Sequence, residues 1–192
     1  MPNTYFLFTL VFWLIFVVYW IISFKKLNKD AYSRATFAKI MILLFIVICF
    51  SFIYLLLSFF GFGFGLFPGK STADIIRFNG TLICVLGIFL SIWSRNTIGP
   101  NWSGKVTTKK SHELVKDGPY KLIRHPIYAG FLLAFLGTAL TIGELSVFLF
   151  FLFCIFVLWI KIKFEESILC EKFPKTYPLY QKRTKKLIPY IL

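Results

Sequence analysis

The sequence has few acidic residues and few of the side chains that usually bind metal ions. Among 192 residues it has 8 Asp or Glu against 22 Lys or Arg, and only two histidines. The four cysteines, Cys49, Cys84, Cys154 and Cys170, have none of the paired spacings that metal ligands show. We therefore expect no metal centre. The sequence also has no internal repeat, low-complexity linker or second soluble domain.

The basic residues are concentrated between apolar blocks. The net charge is +14, and nearly all Lys and Arg residues fall within 25–39, 95–124 and 161–192. Such juxtamembrane clusters favour contact with anionic lipid headgroups over nucleic acid. The positive-inside rule then predicts a cytoplasmic carboxyl terminus and an amino terminus on the outside.

The apolar residues come in blocks that are long enough to cross a bilayer. Hydrophobic residues make up 58% of the chain and aromatic residues 20%, and about 20 helical residues span the hydrocarbon layer. The predicted spans are Tyr5–Phe24, Ile40–Phe60, Ile75–Trp93, Pro126–Ile142 and Leu145–Ile160. We interpret the first as a retained span, since no basic residue precedes it and no small-residue cleavage site follows. The predicted fold is an all-α polytopic transmembrane bundle of about five spans.

The sequence Arg124-His125-Pro126 precedes the fourth span. Proline favours the first helical turn and disfavours helix in the preceding residue, which predicts His125 at the N-cap. A helix amino terminus beside two cationic side chains favours a carboxylate or phosphate. The alternative is an arginine that reaches the headgroups beside a polar histidine cap.

Glu165 and Glu166 follow the fifth span, one turn after Lys161. Adjacent carboxylates at a membrane boundary favour a cationic partner, either a metal or a positively charged ligand. The alternative is a solvated helix end with ordinary i, i+4 pairing. With Tyr120 and Tyr128 available for cation–π contact, the two charged groups together predict a ligand of both charges. Its pocket would be cytoplasmic, between the loop before span four and the C-terminal segment.

The second half of the chain resembles a known membrane-enzyme signature. The matching residues are His112-Glu113-Leu114-Val115, Gly118-Pro119-Tyr120, Arg124-His125-Pro126-Ile127-Tyr128-Ala129-Gly130 and Glu165-Glu166, closed by Tyr177-x-x-Tyr180 and Leu187-Ile188-Pro189. They resemble the RHPxYxG…EE pattern of the isoprenylcysteine carboxyl methyltransferases and the related phospholipid N-methyltransferases. The resemblance implies a catalytic region at 94–192, preceded at 1–93 by three spans and a basic cytoplasmic loop.

The resemblance implies S-adenosylmethionine as the methyl donor. The implied cofactor-binding residues are Lys105, His112, Glu113, Leu114, Val115, Tyr120, His125, Pro126, Ile127, Tyr128 and Glu165. The implied catalytic residues are Arg124, Lys161 and Glu166, of which Lys161 would also bind the substrate. Lys161 departs from the pattern, because the carboxyl methyltransferases usually have arginine there; lysine keeps the charge but loses the bidentate fork. Lys105 stands where some members have glutamine.

We expect carboxyl O-methylation of an isoprenylcysteine-like or other lipid-borne acceptor. A carboxylate is already deprotonated at neutral pH, and a cation at position 161 suits it. The alternative is N-methylation of an aminophospholipid of the phosphatidylethanolamine type, whose amine must first lose a proton. A third hypothesis, a non-enzymatic membrane subunit or transporter, would need charged residues at depth, and the four clearest spans have almost none. The sequence does not indicate an oligomeric state.

Overall fold

The computed structural model describes residues 4–27, 65–67, 70–99 and 114–189, and most of these residues lie in helices. The helices are α1 (Thr4–Leu27), α2 (Lys70–Ile98), α3 (Pro126–Ile142), α4 (Leu145–Lys172) and α5 (Tyr177–Arg183), with a 3-10 turn at Gly118–Lys121. These ranges contain no β-strand beyond two isolated bridges, and the predicted all-α fold is confirmed. The predicted second span, Ile40–Phe60, lies outside the described residues.

Within the described ranges, three helices are long and apolar enough to cross a membrane, at Thr4–Ser23, Thr72–Ile98 and Leu145–Lys172. Helix α3 has 17 residues, so it is about 26 Å long, close to the hydrocarbon thickness. Many large apolar side chains along these helices are exposed, as they are where a protein surface faces lipid. The protein is therefore an integral membrane protein.

Helices α2 and α3 approach each other through glycines. A Cβ atom on Gly80 or Gly87 of α2 would overlap the backbone of α3, and one on Gly130 or Gly137 of α3 would overlap the backbone of α2. Small residues permit such close approach between helices in membranes, where van der Waals packing drives association. Near the start of α3, Ser91 Oγ also donates a hydrogen bond to the backbone oxygen of Ile127, at 3.2 Å. This packing determines where the first turn of α3 lies.

Helix α1 packs against both α2 and α3. Its Trp13 donates a hydrogen bond from Nε1 to Thr138 Oγ1 at 2.9 Å, and its Phe16 is buried with Cys84 and Ala134. Thr9 is fully buried, with its hydroxyl bonded to the backbone oxygen of Tyr5. These side-chain groups of Trp13 and Thr9 are therefore satisfied within the protein, as a membrane environment requires.

Helices α3 and α4 form a hairpin whose turn is Gly143 and Glu144, the two residues between the predicted fourth and fifth spans. Gly143 adopts a left-handed conformation with φ of 72° and caps α3. Helix α4 includes the predicted span Leu145–Ile160 and continues beyond it to Lys172. Lysine and glutamate are good helix formers, so loss of apolar character does not end the helix. Its 28 residues measure about 42 Å, so about eight residues extend beyond the hydrocarbon, which is about 30 Å thick.

Candidate active site

The first turn of α3 is held by the segment near the carboxyl terminus. His125 is the N-cap and Pro126 occupies the first turn, as predicted. The backbone N–H groups of Arg124 and His125 donate to the carbonyls of Lys185 and Lys186, at 2.8 and 3.0 Å. We call residues 184–186 the C-terminal strap. Its pairing with the residues before α3 brings two distant parts of the chain to one site.

Arg124 joins α3, α4 and the C-terminal strap. Its Nε donates to Glu166 Oε1 at 2.6 Å, and only 8% of the Arg124 side chain and 10% of the Glu166 side chain are exposed. Its Nη1 donates to the carbonyl oxygens of Gln181, at 3.1 Å, and Thr184. The guanidinium thus has three protein partners and is fixed in orientation.

The Glu166 carboxylate faces three cationic or potentially cationic groups. Lys186 Nζ lies 3.6 Å from its Oε2, and His125 Nε2 lies 3.5 Å from its Oε1. Burial acts to raise the pKa of Glu166, but the adjacent His125 and Arg124 outweigh it and hold that pKa at about 2. The carboxylate is therefore ionised at physiological pH. The 3.5 Å approach is not aligned as a hydrogen bond, so buried His125 Nε2 has no hydrogen-bond partner.

A second group of site residues surrounds Tyr128, and we call it the Tyr128 half of the site. Its hydroxyl donates to Glu165 Oε2 at 2.8 Å. Its ring stacks on His125 with 5.7 Å between centroids, and Lys161 Nζ lies 5.0 Å from its ring centroid. Among the described residues no carboxylate lies within 4.0 Å of Lys161. The two carboxylates thus have different partners, and neither forms the i, i+4 pair of an ordinary helix end.

Three buried tyrosines connect α5 to the 3-10 turn. Tyr180 donates to the backbone oxygen of Tyr120 at 2.6 Å. Burial raises the pKa of Tyr180 to about 12 and also raises the pKa values of Tyr120 and Tyr177. All three are neutral donors at physiological pH. Tyr177 is 1% exposed, and its hydroxyl has no hydrogen-bond partner in the described part of the chain.

The structure brings six of the predicted site residues into one cluster: Arg124, His125, Tyr128, Lys161, Glu165 and Glu166. Three others lie beside the cluster along the chain or in the 3-10 turn: Tyr120, Pro126 and Ile127. Leu114 and Val115 are half-buried where the described chain resumes. Lys105, His112 and Glu113 lie outside the described residues.

Sequence reasoning missed the groups that hold Arg124 and Glu166 from the C-terminal side. These are the carbonyls of Gln181 and Thr184 and the ammonium of Lys186. Backbone carbonyls carry no residue-type signature, so the only available signal was the closing pattern around Tyr177 and 187–189. Within the described ranges no three His, Cys, Asp or Glu side chains are grouped to hold a metal ion.

The family comparison agrees with this site. A family model described as phospholipid methyltransferase matches residues 75–176, slightly more than half of the chain. The matched range includes α3 and α4, with the cluster around Arg124 and Tyr128, and stops just before α5. The sequence resemblance stated above is thereby confirmed.

Relatives with different acceptors match the chain. The protein-S-isoprenylcysteine O-methyltransferase of Saccharomyces cerevisiae is 38% identical over 119 residues, which are 58% of this chain and 48% of the relative. The protein-S-isoprenylcysteine O-methyltransferase B of Arabidopsis thaliana is 29% identical over 65% of each chain. Methanethiol S-methyltransferase 2 of Bradyrhizobium diazoefficiens is 42% identical over 71 residues, 36% of this chain and 26% of the relative.

One solved structure has the same helical arrangement. The eukaryotic intramembrane Ras methyltransferase ICMT (isoprenylcysteine carboxyl methyltransferase) matches with a TM-score of 0.61 and 26% identity, over 76% of this chain and 51% of that one. The chain thus spans about half the length of this structure and of the yeast relative. By its fold, its clustered signature residues and the family match, the chain belongs to the phospholipid methyltransferase family of integral membrane proteins.

Proposed function

We propose that the protein is an S-adenosylmethionine-dependent membrane methyltransferase that methylates a carboxylate on a lipid-borne acceptor, such as an isoprenylcysteine. The observation that carries the proposal is the arrangement around Tyr128. The buried imidazole of His125 lies on the Tyr128 ring, and its Nε2 lies 3.5 Å from Glu166 Oε1 without a hydrogen-bond partner in the described part of the chain. The carboxylate of Glu165 accepts from the Tyr128 hydroxyl. A donor and a carboxylate held side by side suit a ligand of both charges.

The described residues fit the proposed cofactor, which has a carboxylate, an ammonium and a sulfonium. His125 Nε2 and Tyr177 OH are buried without hydrogen-bond partners, and buried polar groups in native proteins are normally satisfied. Both can therefore donate to a ligand. Glu165 supplies negative charge for the ammonium or sulfonium. The other proposed cofactor contacts are Lys105, His112, Glu113, Leu114, Val115, Tyr120, Pro126, Ile127 and Tyr128.

We assign Arg124 and Glu166 a positioning role. The sequence resemblance implied that they are catalytic, but their hydrogen-bonding groups already have protein partners. The bridge between them holds α4 against the first turn of α3 and so determines where Glu165 and His125 meet Tyr128. Misplacement of such groups by about 1 Å can cost a hundredfold in rate.

Lys161 is the residue that we propose to orient the acceptor. Its side chain is exposed, and its Nζ lies over Tyr128 with no carboxylate within 4.0 Å in the described ranges. A carboxylate acceptor needs no general base at neutral pH. When bound, the cofactor supplies an electrophilic methyl group. The task of this chain is then to hold the acceptor oxygen in line and exclude water.

N-methylation of an aminophospholipid is the second candidate, favoured by the description of the matching family. The position of Lys161 weighs against it, because an ammonium acceptor would be repelled there and must lose a proton before it can attack. For either acceptor, the distribution of basic residues favours a site on the cytoplasmic side, with the amino terminus outside.

Cofactor binding tests the first part of the proposal. In lipid nanodiscs, we expect the protein to bind S-adenosylhomocysteine in a calorimetric titration. His125→Ala and Glu165→Gln should each raise the Kd by about tenfold or more, the effect of losing one hydrogen bond to a charged group. Glu171→Gln, an exposed change on the same helix, is the matched control. Unchanged affinity in both site variants would contradict the assignment.

Acceptor chemistry tests the second part. The protein is given radiolabelled S-adenosylmethionine together with a prenylcysteine analogue and phosphatidylethanolamine. We expect label on the prenylcysteine that is released by mild base, since methyl esters hydrolyse and methylamines do not. Label found only in the phospholipid would establish the second candidate instead. Binding of the cofactor without transfer to either acceptor would point to another acceptor class.

A further inference from the structure

A basic cleft lies between α4 and the C-terminal strap. It has a volume of about 360 Å³ and is open to solvent on one side. Its lining includes Arg124, Trp159, Gln181, Lys182, Arg183, Lys185 and Lys186. No Asp or Glu side chain lines it. The cleft is therefore a concave surface with positive charge alone.

The charge of the cleft is mostly uncompensated. Lys182, Arg183 and Lys185 are exposed, and among the described residues no carboxylate lies within 4.0 Å of them. Only Arg124 and Lys186 share the Glu166 carboxylate. Several cations around one concave surface favour an anion, and a phosphate can accept from more than one of them.

The backbone that carries these cations is fixed. Lys185 accepts from the N–H of Arg124 at 2.8 Å, and Lys186 accepts from the N–H of His125 at 3.0 Å. The N–H of Lys185 donates back to the carbonyl of Leu122 at 3.5 Å. The side chains therefore start from defined positions, which lowers the ordering cost of binding an anion.

The cleft lies at the depth of the lipid headgroups. Trp159 ends the apolar run of α4, and Lys186 Nζ lies 4.7 Å from its ring centroid. Tryptophan and basic side chains mark the membrane–water interface. One and two turns earlier on the same helix face, Phe156 and Leu152 are exposed. An apolar surface for acyl chains thus leads directly to the cationic cleft.

The cleft is separate from the Tyr128 half of the site. Helical residues advance by about 100°, so Trp159 and Lys161 point to nearly opposite sides of α4. Neither Lys161 nor Glu165 lines the cleft. An anion in the cleft is therefore not the acceptor carboxylate that would meet Lys161.

From this geometry we propose that the cleft binds the phosphate of an anionic phospholipid of the surrounding membrane. The lipid's acyl chains lie along Leu152 and Phe156, and its headgroup accepts hydrogen bonds from the cations around Trp159. This site does not depend on the proposed methyltransferase activity, because its test measures lipid binding alone.

The test compares three ligands on the whole protein in detergent, by microscale thermophoresis. The probes are short-chain phosphatidylglycerol, short-chain phosphatidylcholine and inorganic phosphate. We expect phosphatidylglycerol to bind at least about tenfold more tightly than the other two, since each basic residue near an anionic lipid contributes about fivefold. Lys182→Gln/Lys185→Gln should remove this preference. The control Lys121→Gln/Lys175→Gln removes equal charge from exposed positions elsewhere and should keep it.

Four results would overturn the proposal. The first two are equal affinity for the two lipids and an equal loss of the phosphatidylglycerol preference in both double variants. The third is inorganic phosphate binding as tightly as phosphatidylglycerol. The fourth is a phosphatidylglycerol preference that persists in about 0.5 M salt, which screens exposed charges. The salt titration uses the unmodified chain, so it decides even if a variant does not fold. Unchanged S-adenosylhomocysteine affinity in Lys182→Gln/Lys185→Gln would separate this site from the cofactor site.

Discussion

Replacing Glu166 with glutamine should both destabilise the protein and loosen its site. The change keeps the shape of the side chain but removes the charge that Arg124, His125 and Lys186 face. Arg124 would then be a buried cation with carbonyl partners only, those of Gln181 and Thr184. A buried cation that loses its carboxylate is strongly destabilising, because its desolvation is no longer compensated.

The magnitude follows from the burial of the pair. Breaking a buried ion pair from one side costs about 3–5 kcal/mol. Arg124 is 8% exposed but keeps two carbonyl acceptors, so we expect the lower end, about 3 kcal/mol. For a chain of this size each kcal/mol shifts the melting temperature by about 2–4 °C. Glu166→Gln should therefore melt about 6–12 °C below the parent protein.

The assay is thermal unfolding in lipid nanodiscs, followed by intrinsic tryptophan fluorescence. Glu171→Gln is the matched control, since it makes the same change at an exposed position of the same helix. The double variant Arg124→Gln/Glu166→Gln should lose less melting temperature than the two single variants lose in sum, because it leaves neither member of the pair as an unpaired charge. A difference of less than about 2 °C between Glu166→Gln and Glu171→Gln would refute the reasoning.

Three further predictions concern pH, the acceptor and the helix interface. The pKa of Glu166 is about 2 in the folded state, below the value of about 4.3 in the unfolded chain. The ionised carboxylate therefore stabilises the folded protein above about pH 4.3, and this stabilisation is lost as the pH falls towards 2. The difference in melting temperature between the parent and Glu166→Gln should shrink from about pH 6 to pH 3. Lys161→Met should raise the KM for a carboxylate acceptor by about tenfold and leave the affinity for S-adenosylhomocysteine unchanged. The control Lys163→Met should change neither quantity. Equal effects of the two variants would contradict the role of Lys161. Gly137→Ala should lower the free energy of unfolding by about 1–3 kcal/mol, because the new Cβ overlaps the backbone of α2. The control Gly65→Ala, where a Cβ would have no atom within 4 Å, should have a melting temperature close to that of the parent. Equal melting temperatures of the two variants would indicate that the interface between α2 and α3 relaxes.

The features that the sequence predicted correctly are determined by residues that are close together in the chain. Pro126 predicts the N-cap at His125, and Gly143 permits the left-handed turn between α3 and α4. The apolar blocks predict helices because a bilayer leaves few other ways to satisfy the backbone. The apolar span at Leu145–Ile160 did not predict where α4 ends, about three turns later at Lys172, since an apolar pattern indicates contact with lipid and not the extent of the helix.

The partners within the site could not be read from the chain. Glu165 and Glu166 are adjacent and chemically alike, yet one accepts from Tyr128 and the other from Arg124. Their side chains point about 100° apart around α4, so the packing of that helix decides which carboxylate is buried in the ion pair.

What the sequence by itself determined is the presence of the membrane helices in the described ranges, the cap of α3 and the residue types available for a charged ligand. These follow from hydropathy, proline geometry and composition, which act over a few residues. Only the tertiary structure decided that the C-terminal strap pairs with the residues before α3 and that Arg124 binds the Glu166 carboxylate. It also decided that Lys161 lies over Tyr128 with no carboxylate of the described residues within 4.0 Å. The pairings with the C-terminal segment join positions about 60 residues apart, and they depend on backbone carbonyls and helix faces that no residue type reveals.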